Sequence, residues 1–286
     1  MAKSITSLKV DMDKYHESFQ VMMKYGLQSR ENGYADDARD LVTKLHFDSS
    51  RELRVLSIGS GNGNVDQHFI NALVGKYSKI YYCVIEPVEK PVQEFKTLVK
   101  SNRWDNVTFD FRLQGINPYL DKGGKTDKYD FIHACNSVYE FRDPGQDVPD
   151  LYNMVNTGGL LFLRTSSGGW EQCRANLSKC YTKYGESTVF PGAGMVKDIL
   201  TKVVPNPSME SLHRSVLMTI TECFNEKSED GNKLLDFIHQ VLNFRSSVPV
   251  DDIPNLLKYL RDECCEIVGE DIMLDAGEDD ILVRKE

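Results

Sequence analysis

An apolar run, Arg54-Val55-Leu56-Ser57-Ile58, ends in Gly59-Ser60-Gly61-Asn62-Gly63, with glycines at alternate positions. A second apolar run, 80–85, ends in an acid, Glu86, twenty-seven residues after Gly59. Glycines in such a turn reach backbone angles closed to other residues, so main-chain N–H groups can approach a ligand. A carboxylate closing the next parallel strand can accept hydrogen bonds from both hydroxyls of a ribose. The pairing predicts an adenosine-binding site at the carboxyl ends of two parallel strands.

The spacing sorts the possible ligands. A dinucleotide fingerprint reads G-x-G-x-x-G and sets a pyrophosphate on a helix N-terminus. Here Asn64 stands where its last glycine belongs, and Gly59, Gly61 and Gly63 read G-x-G-x-G. No Gly-Lys-Ser/Thr follows, which excludes a P-loop, and no Tyr-x-x-x-Lys pair supports a nicotinamide-dependent reductase. G-x-G-x-G followed by an acid closing the next strand is the pattern of class I S-adenosylmethionine (SAM) methyltransferases, so SAM is the expected cofactor. The plainer alternative is an α/β domain whose glycines only make a tight turn.

These residues need strands to carry them. Apolar and β-branched runs predict strands at 53–58, 80–86, 107–112, 129–135 and 160–164. Helical patterns between them, at 64–74 and from 87 or 88 to 100, predict a doubly wound parallel sheet. Tyr15, Phe19, Met22 and Met23 recur on one face of a helix over 11–25, and a second helix is expected over 35–45. Beyond the fifth strand, 216–224 and 280–284 read as the late strand pair that completes a seven-stranded sheet. Residues 233–244 and 252–267 read as helices, and 185–194 as a loop. The expected fold is therefore α/β: a Rossmann-like, seven-stranded, mostly parallel sheet with helices on both faces. One domain over 1–286 carries it. Residues 1–50 and a helical insertion at 225–275 are expected to form an added substrate lid.

Composition narrows the partners. The 286-residue chain is 41% hydrophobic and 27% charged, ordinary for a globular protein. A net charge of −9 and a pI near 5.3 argue against a nucleic-acid substrate, which needs a basic stripe. The Asn-Pro-Pro-Tyr motif of aminopurine methylation is absent. The seven cysteines are odd in number and form no C-x-x-C, which predicts reduced thiols in the cytosol. The six histidines have no ligand spacing, so no metal is expected. Neither a signal peptide nor a run of eighteen apolar residues is present, so no membrane partner is expected.

Several stretches together resemble the histamine N-methyltransferase family. They are Lys14-Tyr15-x-Glu17-Ser18-Phe19, Leu56-Ser57-Ile58-Gly59-x-Gly61-x-Gly63, Glu86-Pro87, Asp130-Phe131-Ile132-His133, Ser167-Gly168-Gly169-Trp170 and Asp236-Phe237 with Asn243-Phe244. The resemblance covers nearly the whole chain. It implies a cytoplasmic, monomeric enzyme that moves the SAM methyl group to a nitrogen of a small imidazole-bearing amine. By position it implies cofactor contacts from Gly59, Ser60, Gly61, Glu86, Pro91, Ile116 and Cys135. It implies an acceptor pocket of Tyr15, Phe19, Gln28, Asn136, Tyr139, Glu140, Trp170, Arg174 and Phe244. No residue is assigned covalent or acid–base catalysis; Asn136 and Tyr15 would position the acceptor. For Met22 and Phe244, ordinary core packing is an equal expectation.

Some positions depart from the family pattern. The family has glutamate where this chain has Gln28, glutamine at Asn136, tyrosine at Glu140, tryptophan at Arg174 and glutamine at Pro91. Its late pocket asparagine has no secure counterpart, although Asp275 is nearby. Histamine is therefore expected to be a poor acceptor. An imidazole dipeptide, another heteroaromatic amine, or SAM binding without transfer remain alternatives. Arg174 would meet an acceptor carboxylate or, more simply, lie exposed. Glu140 would pair with a cationic group or sit on a solvated face.

Overall fold

The computed structural model describes residues 5–26, 33–180, 191–204 and 209–286. In chain order, helices α1 (Met12–Gly26) and α2 (Tyr34–Thr43) precede strand β1 (Glu52–Ile58). Then come α3 (Asp66–Val74), β2 (Lys79–Glu86), α4 (Glu89–Asn102), β3 (Val107–Leu113), α5 (Ile116–Asp121) and β4 (Tyr129–Cys135). α6 (Pro144–Met154), β5 (Val155–Ser166), α7 (Gly168–Cys180) and α8 (Ala193–Val203) follow. The last part holds β6 (Met209–Arg214), β7 (Leu217–Thr219), α9 (Glu229–His239), α10 (Phe244–Ser247), α11 (Ile253–Cys264), β8 (Cys265–Val268), β9 (Asp271–Asp275) and β10 (Glu278–Arg284).

The chain divides into two compact units. The larger comprises Asn32–Thr165, Ala193–Leu212 and Asp280–Glu286, and carries the seven-stranded sheet in the order β3-β2-β1-β4-β5-β10-β6. β1 pairs in parallel with β2 and β4, β2 with β3, and β4 with β5. The order reverses direction between β1 and β4, which is where ligands of open α/β sheets bind. Near-continuous burial along β1, β2 and β4 reflects helices covering both faces. One face packs Leu56, Ile58, Ile132 and Leu163 with α6 and α8; the other packs Val55, Tyr82, Phe131 and Phe162 with α2 and α3.

A buried cation braces this sheet. Arg164 of β5 is 1% exposed and grips Asp280 of β10 through Nε at 2.5 Å and Nη2 at 2.9 Å, with Asp37 of α2 at 3.1 Å. A guanidinium buried this deeply persists only because carboxylates offset its lost hydration. Asp37, Ala38, Leu41 and Val42 thereby tie α2 into the sheet unit. Of the segment 1–50, expected as a lid, residues 32–50 group with the sheet unit.

The second unit comprises Met1–Glu31, Ser166–Gly192 and His213–Asp279. Its core joins Leu8 and Met22 to Trp170, Leu234, Phe237, Ile238, Leu256 and Leu260. α9 starts where Ser228 accepts the Gly231 N–H at 3.1 Å, and ends at Gln240 in a left-handed conformation (φ 54°). A separate three-stranded sheet has the order β7-β9-β8, antiparallel throughout.

Three expectations change here. The late strands that complete the sheet are β10, beside β5, and β6, beside β10, whereas the strand expected at 216–224 is β7 of the small sheet followed by a 3-10 turn, Thr221–Phe224. The helix expected through 267 stops at Cys264, and Cys265–Val268 turns into β8. The loop expected at 185–194 lies outside the described residues up to 190, and α8 already begins at Ala193.

Candidate functional site

The glycine turn leaves β1 at its carboxyl end. Gly59 (φ 65°), Gly61 (φ 54°) and Gly63 (φ 82°) are all in the left-handed region. At Gly59 a Cβ would lie 2.3 Å from Ser137 Cβ, and at Gly63 one would lie 2.4 Å from the Phe95 ring. Gly61 instead faces open space, with nothing within 4 Å of its Cβ position. Two glycines are therefore required by packing, and the middle one has open space beside it.

Glu86 lies beside this turn at the end of β2 and is 7% exposed. Its Oε2 accepts the Gly61 N–H at 3.0 Å and its Oε1 the Val88 N–H at 3.0 Å. A carboxylate has about four acceptor sites, so two bonds leave capacity on both oxygens. Ser60 Oγ is buried with no hydrogen-bond partner, an orphaned donor in the same turn. An open glycine, a carboxylate with spare acceptors and an unsatisfied hydroxyl fit the ribose and amino-acid ends of a SAM-type cofactor.

The other cofactor candidates lie on the same edge of the sheet. Ile116 opens α5 beyond β3 and is buried, and Cys135 ends β4 half-buried. Pro91 sits half-buried in the first turn of α4. These residues stand at the carboxyl ends of the neighbouring strands β3, β2, β1 and β4.

The turn after β4 carries three acceptor candidates. Asn136 is half-buried with φ 54°, a conformation asparagine tolerates better than most residues. Its N–H donates to the Arg164 carbonyl at 2.8 Å, so the braced β5 strand holds it there. Ser137, which the sequence did not single out, donates from Oγ to the Ile58 carbonyl at 2.7 Å and closes the turn onto β1. Tyr139 is half-buried and Glu140 exposed, both in a 3-10 turn, Val138–Glu140.

Behind the glycine turn lies a polar cluster that the sequence reading also missed. Asp66, the first residue of α3, accepts from Tyr82 Oη at 2.9 Å, and Tyr82 Oη lies 2.8 Å from His133 Nε2. All three are 2% exposed or less. Desolvation pushes the Asp66 carboxyl up to about 6, opposed by the Tyr82 hydroxyl and aided by the negative charge of Glu86. Desolvation holds the His133 imidazole down to about 3, so it is neutral.

The aromatic candidates Tyr15, Phe19 and Trp170 belong to the other unit, where Phe237 organises them. Its ring lies 5.5 Å from Tyr15, 5.7 Å from Phe19 and 5.8 Å from Trp170. Tyr15 and Phe19, four residues apart on α1, stack within 5° of parallel. Both are half-buried, whereas Trp170 is buried and donates Nε1–H to the Ile238 carbonyl at 3.1 Å.

Two candidates have structural roles. Arg174 is not exposed: it is 6% exposed, its guanidinium lies 4.4 Å above the Trp170 ring, and Nε and Nη2 donate to the carbonyls of Ile238 and Phe237. The carbonyl end of α9 attracts this cation, so its donors serve the fold rather than a carboxylate ligand. Phe244 is fully buried and stacked 4.4 Å from His239, with its N–H bound to Asp236 at 2.7 Å, so it is core. Gln28 lies outside the described residues.

Comparison with known proteins follows the same lines. A family model described as a methyltransferase domain matches residues 30–187. Histamine N-methyltransferase of Rattus norvegicus is 24% identical, over all of this chain and 94% of its own length. That of Danio rerio is 26% identical over 93% of each chain, and that of Mus musculus 23% over 92% of this chain and 91% of its own. Among solved structures, plantazolicin methyltransferase BpumL in complex with SAH superposes with a TM-score of 0.51 at 14% identity, covering 98% of this chain and 93% of that one. The YcgJ protein of Bacillus subtilis gives 0.51 at 11%, covering 88% and 99%. These structural likenesses establish the class I methyltransferase fold.

Proposed function

The chain belongs to the methyltransferase-domain family, and on that premise we propose that it transfers the methyl group of S-adenosylmethionine to a nitrogen of a small imidazole-bearing or related heteroaromatic amine. The SAM-dependent methyltransferase class follows from the family and the fold. The observation that carries the cofactor assignment is Glu86, buried beside Gly61 with acceptor sites to spare. In this reading Glu86 takes the ribose hydroxyls, and Ser60 and the Gly59–Gly61 backbone take the amino-acid end. Ile116 and Pro91 flank the base, and Cys135 lies along the adenosine and methionine portions.

Bound SAM supplies a methyl group already activated on a cationic sulfur. The protein has to align the acceptor nitrogen, exclude water and leave that nitrogen unprotonated. An imidazole, with a pKa near ~6.5, is largely neutral at cytosolic pH and needs no strong base; an aliphatic amine near ~10.4 would. Asn136, fixed in its strained turn, is the residue we assign to orient the acceptor, with Tyr139 and Glu140 beside it in sequence. Tyr15 and Phe19 are assigned as acceptor-facing rings, whose faces favour a flat ring and a developing cation. Residues 1–26 and the 225–275 helices are assigned as the acceptor-recognition part of the chain. The described cysteines are all free thiols, which fits a cytoplasmic enzyme; we read it as a monomer acting on a small molecule.

The similarity to histamine N-methyltransferases supports the amine class. The departures at Gln28, Asn136 and Glu140 support an acceptor other than histamine. A methyl-transfer screen across histamine, imidazole dipeptides, indoleamines and phenethylamines tests both. Turnover confined to imidazoles supports the reading, with another imidazole exceeding histamine in kcat/KM. Turnover confined to phenethylamines would overturn it. If histamine ranks first and Gln28→Glu does not improve it, the altered pocket has been misread.

A further inference from the structure

Asp66, Tyr82 and His133 form a buried hydrogen-bonded chain that the methyl-transfer reading does not use. With Asp66 as the acceptor, its polarity follows from counting protons. Tyr82 has one hydroxyl hydrogen, and it is given to Asp66 Oδ1 at 2.9 Å. The neighbouring His133 Nε2, 2.8 Å from the same oxygen, must then carry the hydrogen and donate. A neutral Nε2–H imidazole, walled by Phe69 at 4.7 Å and Phe131 at 5.2 Å, satisfies this. In this direction, His133 to Tyr82 to Asp66, the Asp66 carboxyl is the terminal acceptor, a role its ionised form fills most strongly.

The chain ends directly under the glycine turn. Asp66 is three residues beyond Gly63. The Gln67 N–H donates to the Gly63 carbonyl at 2.9 Å, and the Gly63 N–H to the Ser60 carbonyl at 3.0 Å. Holding Asp66 against β2 and β4 thus holds the far end of the turn. Glu86 is four residues after Tyr82 on β2, hence on the same face, and its charge acts on Asp66. The charged or titratable groups facing Asp66 are Tyr82 and Glu86 of β2 and His133 of β4; β1 contributes the Ser57 hydroxyl.

We propose that Asp66, Tyr82 and His133 are positioning residues for the cofactor turn, and that cofactor binding is linked to the proton on Asp66. This rests on the assignment of the Gly61–Glu86 turn to SAM. Ionised Asp66 holds the turn through a charge-assisted bond from Tyr82, and a ligand of net positive charge favours the ionised form. Protonation removes the charge that strengthens this bond and leaves a neutral carboxyl that accepts more weakly from Tyr82. Cofactor binding therefore draws the Asp66 carboxyl down from its raised value near 6 and weakens as acid restores the proton. A lowering of about one unit makes SAM binding about threefold weaker at pH 5.5 than at pH 7.5.

The test is calorimetric titration of the full chain with SAM from pH 5.5 to 8, repeated in buffers of different ionisation enthalpy to count protons. The native chain should lose about threefold in affinity on the acid side and release a fraction of a proton on binding near pH 6. Asp66→Asn should flatten that limb and abolish the release. Tyr82→Phe keeps the carboxyl but removes the donor that favours its ionised form, so the acid limb should begin at higher pH. This second variant decides the matter should Asp66→Asn fail to fold. No SAM binding at pH 7.5 would overturn the cofactor assignment itself. Tight binding at pH 7.5 with superimposable pH profiles for all three proteins would overturn the proton linkage and leave the assignment intact.

Discussion

Replacing Glu86 separates the cofactor reading from a purely structural one. Its two oxygens already accept the N–H groups of Gly61 and Val88, each at 3.0 Å. A structural role would end there. Ribose binding adds hydroxyl donors on the remaining acceptor sites, and hydrogen bonds to a charged group contribute about 1.5–3 kcal/mol. At about 1.4 kcal/mol per tenfold, Glu86→Ala should weaken SAM by roughly ten- to a hundredfold. Glu86→Gln keeps one carbonyl acceptor but turns the other oxygen into a donor. It cannot accept from both Gly61 and Val88, so it should fall between the two. Calorimetry gives the affinities, and the rise in Tm with saturating SAM gives an independent reading, since a ligand stabilises only the folded form it binds. Native affinity in Glu86→Ala refutes the assignment. Native affinity in Glu86→Gln alone would show that the charge is not used.

Other outcomes follow from the same geometry. Gly59→Ala combines a left-handed backbone with a 2.3 Å approach to Ser137 Cβ; it should cost about 2–5 kcal/mol in urea unfolding, and a cost under about 1 kcal/mol would contradict the packing. Asn136→Gly keeps the φ of 54° accessible and removes the amide, so kcat/KM should drop while SAM affinity stays; unchanged turnover removes Asn136 from the acceptor site. His213 is held by Asp279 at 2.7 Å and Asp275 at 3.2 Å, and these carboxylates raise its pKa above the ordinary 6.5. Its folded pKa is the higher one, so its stabilisation is complete below about pH 6.5 and is lost as pH rises through the folded value. The gap in denaturation midpoint between native and His213→Gln should therefore be widest at acid pH and close on the alkaline side; a gap that widens with pH refutes the ion pairs.

The cofactor half was legible because its signals are local. Glycines at positions where a side chain would collide, and an acid closing the next strand, are properties of short segments. The missed elements are those whose segments mislead. α6 contains Pro144, Gly145 and Pro149, residues that break helical patterns, yet Val148, Leu151 and Met154 are buried on the sheet. Pro144 fits the first helical turn, where no N–H is needed. β6, Met-Glu-Ser-Leu-His-Arg, is mostly exposed and carries no alternation to detect. The more apolar 216–224 carries the stronger strand signal, and a strand's period cannot say which sheet it joins. His133 sat within an apolar run and Asp66 in a first helical turn, each with an ordinary structural explanation; only their meeting through Tyr82 gives them a role.

The acceptor half is less legible for a different reason: its aromatic cluster is assembled from distant segments. Phe237 touches Tyr15, Phe19 and Trp170, and no spacing rule links α1, α7 and α9. The cluster also changes the substrate argument. An anionic acceptor is attractive only where Arg174 is an open cation. Its Nε and Nη2 now face the carbonyl end of α9, and its plane lies over Trp170. Recruiting it to a carboxylate would strip those carbonyls of their donors and bring the cation out of its packing, a cost that one new ion pair would have to offset. Amines without a carboxylate therefore rank ahead of imidazole amino acids and dipeptides as acceptors. Among them, a ring nitrogen that is neutral at cytosolic pH is methylated without any base, whereas a primary amine demands one.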